Sequence, residues 1–580
     1  MKNFIAQKEE IIYNILKELN YELDKVVLVP SSRKELGQYQ FNGVMQLAKK
    51  YKKNPVEIAE SITKKMKDYD CFCNINVAGP GFINISFTDE SLTDYIESLR
   101  NKELDFKLKD KKKIVIDYGG PNVAKTLHVG HLRSANIGEA LKRLAIKLGY
   151  DVISDIHLGD WGRPLGLVIL ELKKLHPDWL YFDESYDGKY PDDYPITNKD
   201  LETIYPIASQ KAKENEEYLE EARIITTKLQ NKEKGYYDLW KKIREVSVNE
   251  IKSTYDKLNV SFDLWEGESD ADQYVSDVVN DLKEKGLVHE SEGAQVVEVA
   301  TDSDNSPMPP LMLIKSNNSI SYETTDLATI WERMHKFNPD EIWYVVDKRQ
   351  KLHFEQVFRT VKKAKIVNDD TILDFIGFGT MNGKDGKPFK TRDGGVMTLK
   401  SLIDALKEET SKKTDESLEN QEQIVDTLAI AALKYADLIP DVSTDYIFDV
   451  EKFSDLNGKT GIYILYSTIR MKSLLKKAKE NNIEIGPIST INSDIDRDIY
   501  LKILEVNSVL QKSLKIKSLH EITEYLYQLT NLFNSFYASN KVLTENNKKI
   551  QSSWLGLSEI TYKIIDELLD ILAIEIPEKM

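Results

Sequence analysis

Residues 121–133, PNVAKTLHVGHLR, constrain the fold more than any other stretch. They follow the apolar run Ile114-Val115-Ile116 and lead into a helical pattern over 132–148, which places them where a strand ends and a helix begins. At such a junction in an open α/β sheet, unpaired helix N–H groups and the helix dipole face a crevice that accepts anions. His128 and His131 are three residues apart, share one face and can both donate to a single oxyanion. Gly130 between them leaves backbone bare for a flat base. Each such donor is worth about 2.7–4 kcal/mol where charge grows on an oxygen. The expectation is a nucleotide site that handles the α-phosphate of ATP. A zinc pair would need a third ligand at suitable spacing, and no HExxH, CxxC or cysteine-rich partner occurs.

The 580 residues exceed what one core holds. Helical spacing over 1–18, a short strand at 25–30, a helical pattern over 41–66 broken at Asn54-Pro55, and two extended pieces around the Gly-Pro-Gly of 75–86 describe a small α+β module. The charged stretch 102–113 reads as a linker. Candidate strands at 113–118, 151–156, 295–299, 342–346 and 375–378 alternate with helical stretches, the pattern of parallel βαβ units. Residues 178–204 and the charged helix 211–234 form an insertion. Beyond about Ala405 five patterns, at 425–438, 460–479, 499–514, 519–537 and 555–574, fit amphipathic helices. The expected architecture is α/β, with a parallel-sheet domain over 106–404, an N-terminal module over 1–105 and a C-terminal all-α bundle over 405–580.

The formal net charge of −16 argues against a generic nucleic-acid binder, which carries a basic face, although lysine-rich clusters at 49–53, 64–67, 107–113 and 470–479 leave room for a local basic stripe. Cys71 and Cys73 have the spacing of neither a disulfide framework nor a zinc site, which suits a reducing compartment. With no apolar stretch approaching a membrane span and no secretory start, the cytoplasm is the expected location.

Two further groups bear on chemistry. In 378–399, FGTMNGKDGKPFKTRDGGVMTL, the residues Lys384, Lys387, Lys390 and Arg392 are spaced along a glycine-rich loop that can close on a polyphosphate. Neither GxxxxGK[ST] nor GxGxxG after a strand is present, which excludes a P-loop NTPase or a dinucleotide enzyme by their usual fingerprints. Glu268, Tyr322, Asp326 and Gln350 form an acidic and aromatic set; carboxylates are what the planar donor fork of a guanidinium requires.

Taken in order, these blocks resemble arginyl-tRNA synthetase, a class I aminoacyl-tRNA synthetase, over essentially the whole chain. HVGH at 128–131 is similar to the class I "HIGH" signature, and PNVAKTLHVGHLRS to its arginyl-specific form. HLGDWGRPLG (157–166), TTDLATI (324–330), YVVDKRQKLHF (344–354) and GKDGKPFKTRDGG (383–395) resemble family blocks. GKTGIYILYSTIR (458–470) resembles the helix that opens the anticodon-binding bundle, and LGQYQFN with AGPGFINI the additional tRNA-binding module. The resemblance implies a Rossmann-like catalytic domain, an N-terminal module that contacts the tRNA D-loop and a C-terminal anticodon-binding bundle.

It also implies roles. His128 and His131 would stabilise the α-phosphate and Gly130 would lie under adenine. The segment 383–395 corresponds to the "KMSKS" loop without its literal sequence, so Lys390, Lys387 and Lys384 share its charge and Lys125 supplies compensating charge before the histidines. Met381, Asp347 and His353 would contact ATP. Asn122, Glu268, Tyr322, Asp326 and Gln350 would bind arginine. Phe82 and Asn84, Tyr463, Arg470 and Tyr537 are the candidate tRNA contacts, with Ala78 standing where family members often carry Asn; Tyr466 and Phe536 are assigned to the bundle core. The implied reaction joins L-arginine and ATP into arginyl-adenylate and pyrophosphate, then transfers arginine to tRNA(Arg), with Mg2+ entering alongside ATP, no structural metal, no membrane and a monomer as the family default. Competing readings are another HxGH nucleotidyltransferase, which has no use for the helical third, and a non-catalytic tRNA-binding paralogue, which should have lost the histidines or the lysine loop.

Overall fold

The computed structural model describes residues 3–31, 33, 35–102, 104–125, 127–191, 196–317, 319–387, 397–415 and 419–580. In the N-terminal module, α1 (Phe4–Glu18), α2 (Val44–Tyr51), α3 (Pro55–Met66) and α4 (Asp89–Arg100) accompany a four-stranded antiparallel sheet. Its strands, β1 (Leu28–Pro30), β2 (Tyr39–Phe41), β3 (Phe72–Ala78) and β4 (Phe82–Phe87), run in the order β1-β2-β4-β3. Asn54 caps α3 by accepting the Val56 N–H at 2.9 Å, with Pro55 in the first turn where a missing N–H costs nothing. Phe41, expected at the start of a helix, instead belongs to β2, where its ring is buried in the module core.

The central sheet has four parallel strands in the order β11-β10-β5-β6: β5 (Lys113–Tyr118), β6 (Asp151–Asp155), β10 (Glu341–Asp347) and β11 (Ile372–Phe378). Helix α5 (Val129–Lys147) makes the crossover from β5 to β6. Between β6 and β10 the chain runs through α6 (Arg163–Leu175), the inserted helices α7 (Asn198–Glu214), α8 (Glu216–Gln230) and α9 (Lys234–Lys257), then α10 (Glu268–Glu284), a small sheet and α11 (Tyr322–Phe337). That small sheet corrects one expectation. The 295–299 strand is β8 (Ala294–Val297), paired antiparallel to β7 (Val288–Ser291) and β9 (Leu311–Ile314), not a member of the parallel sheet. The cause is local: Gly293, at φ +77°, turns β7 straight back into β8, and no crossover helix intervenes. Helix α12 (Lys351–Lys363) connects β10 to β11.

The C-terminal region holds α13 (Leu399–Ser411), α14 (Gln421–Leu438), α15 (Val450–Phe453), α16 (Gly461–Glu480), α17 (Asp494–Leu504), α18 (Val506–Ile516), α19 (His520–Ser539) and α20 (Lys548–Ile571). A boundary at 404/405 therefore runs through α13. The single helix expected over 499–514 is two, divided at Glu505. The region is not purely helical either, because β13 (Tyr446–Ile447) pairs in parallel with β12 (Met381–Asn382). The N-terminal module rests on these helices: Arg100 pairs with Glu559 at 2.7 Å, Arg497 with Asp89, and Glu97 accepts the Ile488 N–H at 2.9 Å. No helix among the described residues is long and apolar enough to cross a membrane.

Candidate active site

His128 is the N-cap of α5, with extended backbone, and its Nδ1 accepts the Gly130 N–H at 3.0 Å. His131 completes a reciprocal cap, its Nδ1 accepting the His128 N–H at 3.1 Å. The rings stack with centroids 3.9 Å apart. Because both Nδ1 atoms accept, the protons of the neutral rings sit on Nε2, the atoms left to donate. Burial, with Lys125 adding to it, lowers His128 below the ordinary histidine range. The same burial, with His128 and Lys125 beside it, takes His131 to about 3. Neutral pH therefore finds two uncharged donors. Gly130 leaves room for the His128 ring, since a Cβ would stand 2.8 Å from His128 Cε1 and push the imidazole from its cap. Lys125 lies 4.7 Å over the ring of Tyr205, on the inserted helix α7.

The acidic set gathers beyond the ends of β5, β6 and β10. Asp326 on α11 and His353 on α12 are 2.6 Å apart, and Tyr322, 57% exposed at the start of α11, packs its ring 4.9 Å from that of His353. His353, expected to contact ATP, is thus in direct contact with two of the arginine-site candidates. Burial opposes its charge, but Asp326 raises it above the ordinary range. Burial pushes the Glu268 carboxyl, at the start of α10, up to about 7; His157 opposes this while Asp160 and Asp326 add to it, so Glu268 and Asp326 share one electrostatic site. Asn122 bridges to Gly159, whose Cβ would fall 2.7 Å from Asn122 Oδ1. Gln350 is exposed in the turn that follows β10.

Sequence reasoning missed a buried cluster beneath this set. Arg333 Nη2 donates to Asp117 at 2.7 Å and Asp155 at 2.6 Å, and His157 Nδ1 lies 3.7 Å from Asp155. Burial disfavours the His157 cation, yet Asp155 and Asp117 raise it to about 9. The signal was an aspartate closing each apolar strand, IVID and VISD, at the sheet end where ligands bind. Asp117, Asp155 and His157 have the spacing of a metal trio, but the Arg333 guanidinium supplies the positive charge among them.

The remaining candidates divide. Asp347 caps the turn after β10 and is engaged by Arg349 through Nε at 2.8 Å and Nη2 at 2.6 Å. Met381 is buried in β12. Lys384 pairs with Asp449 and Glu451, each at 3.2 Å, so it faces the helical region. Lys387 closes a tight turn, its carbonyl accepting the Gly383 N–H at 2.8 Å. Lys390 and Arg392 lie outside the described residues. Asn84 is a correction: it is fully buried in β4 and accepts from Gln40 Nε2 at 2.9 Å, so it is not available to contact RNA; its neighbour Phe82 is half-buried. Tyr463 commits its hydroxyl to Asn531 and Asn534. Arg470 lies 4.9 Å from the Tyr466 ring and 5.5 Å from that of Tyr537. Tyr466 is 44% exposed, contrary to the core position expected of it, whereas Phe536 is fully buried as expected.

Comparison with known proteins accords with this layout. Residues 95–450 match the catalytic domain of class I tRNA synthetases (R), 464–580 the DALR anticodon binding domain, and 6–87 the arginyl tRNA synthetase N terminal domain. The chain is 44% identical to the arginine–tRNA ligase of Alkaliphilus oremlandii and 42% identical to that of Agathobacter rectalis, each over the full length of both proteins. Among solved structures, the arginyl-tRNA synthetase of Plasmodium falciparum superposes with a TM-score of 0.80 at 26% identity, covering 100% of both chains. The Thermus thermophilus arginyl-tRNA synthetase shares the fold, with a TM-score of 0.77 at 18% identity over 99% of this chain and 100% of that one. With its histidine-capped helix, parallel sheet and helical C-terminal third, the chain belongs to the arginyl-tRNA synthetase family of class I aminoacyl-tRNA synthetases.

Proposed function

We propose that the protein is an arginine–tRNA ligase that activates L-arginine with ATP and passes it to the terminal adenosine of tRNA(Arg). The observation that supports this is the pair of neutral Nε2–H donors at the start of α5, which follows strand β5, together with the electrostatically coupled Glu268 and Asp326 carboxylates. In the first step a carboxylate oxygen of arginine attacks the α-phosphorus and pyrophosphate leaves. His128 and His131 donate to the phosphate oxygen on which charge grows, and need no change of protonation to do so. Lys125 adds positive charge from the preceding turn, and the lysines of the 383–395 segment neutralise the leaving pyrophosphate. In the second step the terminal hydroxyl of the tRNA attacks the activated carbonyl and AMP leaves. Both displacements rely on positioning, and no protein nucleophile takes part.

Selection of arginine rests on Glu268 and Asp326, assisted by Tyr322, Asn122 and Gln350. A substrate without a guanidinium would leave these carboxylates unpaired, a cost large enough to make editing unnecessary. Mg2+ would enter on the phosphates of ATP; the one aspartate–histidine trio with metal-ligand spacing among the described residues is already neutralised by Arg333. We infer a cytoplasmic monomer, in keeping with the free Cys71 and Cys73 and the family default. Arginylation assayed across the amino acids with total tRNA, together with arginine-dependent ATP–pyrophosphate exchange with and without tRNA(Arg), tests the assignment. The expected result is arginine-specific charging, with exchange that appears on adding tRNA; absence of both with cognate tRNA removes the catalytic reading.

A further inference from the structure

The histidine helix, the lysine segment and the helical region meet at one buried guanidinium. Arg133, on α5 two residues beyond His131, is 1% exposed. Its Nη1 donates to the Gly379 carbonyl at 2.8 Å and the Thr444 carbonyl at 3.1 Å, and its Nε lies 2.9 Å from Asp437 Oδ1. The rings of Tyr446 and Phe378 lie 5.0 and 5.9 Å from it. Asp437, fully buried on α14, also accepts from Asn136 Nδ2 at 2.9 Å and from the Tyr446 hydroxyl at 2.8 Å. Replacing a buried pair of this kind by apolar side chains is often neutral for stability, so its distinctive contribution is the geometry it imposes on the segments it joins.

Those segments bracket the lysines. Gly379 leads through β12 to Lys384 and Lys387, and its backbone is pressed so closely on Thr444 that a Cβ would stand 2.4 Å from the Thr444 carbonyl. The β12–β13 pairing continues this contact. At the far end, Thr398 bridges to His128 and the Leu399 N–H donates to the Leu127 carbonyl at 3.0 Å. The exit of the lysine segment is thus fastened to the histidine cap itself, while its entry is fastened to the same helix by hydrogen bonds from Arg133.

We propose that Arg133, held by Asp437 and Tyr446, is a positioning residue for the phosphate chemistry. It aligns the entry of the lysine segment with His128 and His131, and it makes that alignment depend on how α14 is seated. The inference rests on the assignment of those histidines and lysines to ATP. Arg133→Lys keeps the charge but loses the fork that reaches two carbonyls and a carboxylate at once. Tyr446→Phe keeps the ring and removes one hydrogen bond to Asp437.

The test is tRNA(Arg)-supported ATP–pyrophosphate exchange by the full chain, measured for wild type, R133K and Y446F alongside the thermal midpoint. Misplacement by about 1 Å costs on the order of 100-fold in rate. The expected outcome is a fall in kcat of at least about 30-fold for R133K and about 3- to 10-fold for Y446F, with the arginine KM within about twofold of wild type. A kcat within twofold of wild type in a folded R133K overturns the proposal. So does a parallel loss of kcat, arginine affinity and midpoint in both variants, which marks a merely structural role. If R133K does not fold, a folded Y446F with wild-type kcat overturns it equally. Lack of exchange by the wild type would be a failure of the functional assignment, and is distinguished by that control.

Discussion

His353 Nε2 lies 2.6 Å from Asp326 Oδ2, which joins α12 to α11. The pair holds one oxygen of Asp326 and leaves the carboxylate aimed by a ring that is itself packed on Tyr322. His353→Ala should therefore raise the arginine KM about 10-fold or more, the cost of losing a charge-assisted hydrogen bond, and leave the ATP KM within about twofold. Steady-state exchange with each substrate varied in turn checks this. Because Asp326 raises the folded pKa of His353, the pair's contribution to stability is fully present below the unfolded value of about 6.5 and is lost as pH rises through the folded value. The stability difference between wild type and the variant should shrink correspondingly at alkaline pH.

Glu268 carries the opposite sign. Its folded carboxyl titrates near 7, above an unfolded value of about 4.3, so ionising it costs stability as pH rises across that window. Glu268→Gln removes the cost, and its stability advantage over wild type should grow from pH 5 to pH 7 and level off above. Arginine binding runs the other way, since the guanidinium needs the carboxylate. The wild-type arginine Kd should fall as pH rises from 6 to 8, and the Gln variant should bind about 10- to 100-fold more weakly with the pH dependence gone. Calorimetric titration at three pH values measures both; a wild-type Kd flat over that range would show that Glu268 does not meet the guanidinium.

What was legible in the sequence was what depends on near neighbours. The HVGH cap, the α3 start at Asn54-Pro55 and the four parallel strands are set by residues within a few positions of one another. What was not legible depends on pairing across the fold. Arg333 reaches Asp117 and Asp155 across 216 and 178 residues, and no spacing rule connects them. Asn84 was proposed from the resemblance of its block, but β4 lies between β2 and β3 and buries Ile83, Asn84 and Ile85 alike, which no pattern within the strand announces. The β12–β13 pair is two residues long on each side, too short to leave a periodic signal. The contact of His353 with Asp326 is likewise fixed by the packing of α11 against α12, 27 residues apart in the chain.

The histidine pair makes a prediction about acid. Both rings are neutral when they donate, so kcat should show no histidine titration between pH 6 and 9 that His131→Ala abolishes. His131→Ala itself should lower kcat by about 100- to 1,000-fold, the usual consequence of losing one donor to a developing oxyanion. A folded pKa of about 3 for His131 lies below the unfolded value of about 6.5, so its stabilisation of the fold is complete above 6.5 and is lost as pH falls toward 3. Thermal midpoints of wild type and variant should converge over that interval. A kcat profile that rises as the histidines become protonated would instead make imidazolium the active form.

On the helical region, Arg470 between the exposed Tyr466 and Tyr537 offers a stacking surface to an unpaired base as well as a charge to a phosphate, and salt separates the two. Tyr537→Ala should raise the tRNA KM by about 5- to 150-fold, the range for losing one stacked base, with kcat at saturating tRNA unchanged because the histidine cap and acidic pocket are intact. Arg470→Ala should weaken tRNA binding as well. If Arg470 meets a phosphate, the slope of log Kd against log salt should fall by about 0.7, the single-strand value per contact; if it stacks on a base, the slope should stay as it is while affinity drops. Filter binding from 50 to 300 mM salt distinguishes them. Tyr466 and Tyr537 lie against the guanidinium, and its Nη1 already donates to Asn534 Oδ1 at 3.2 Å, an arrangement that favours stacking over a phosphate contact, so the unchanged slope is the expected result.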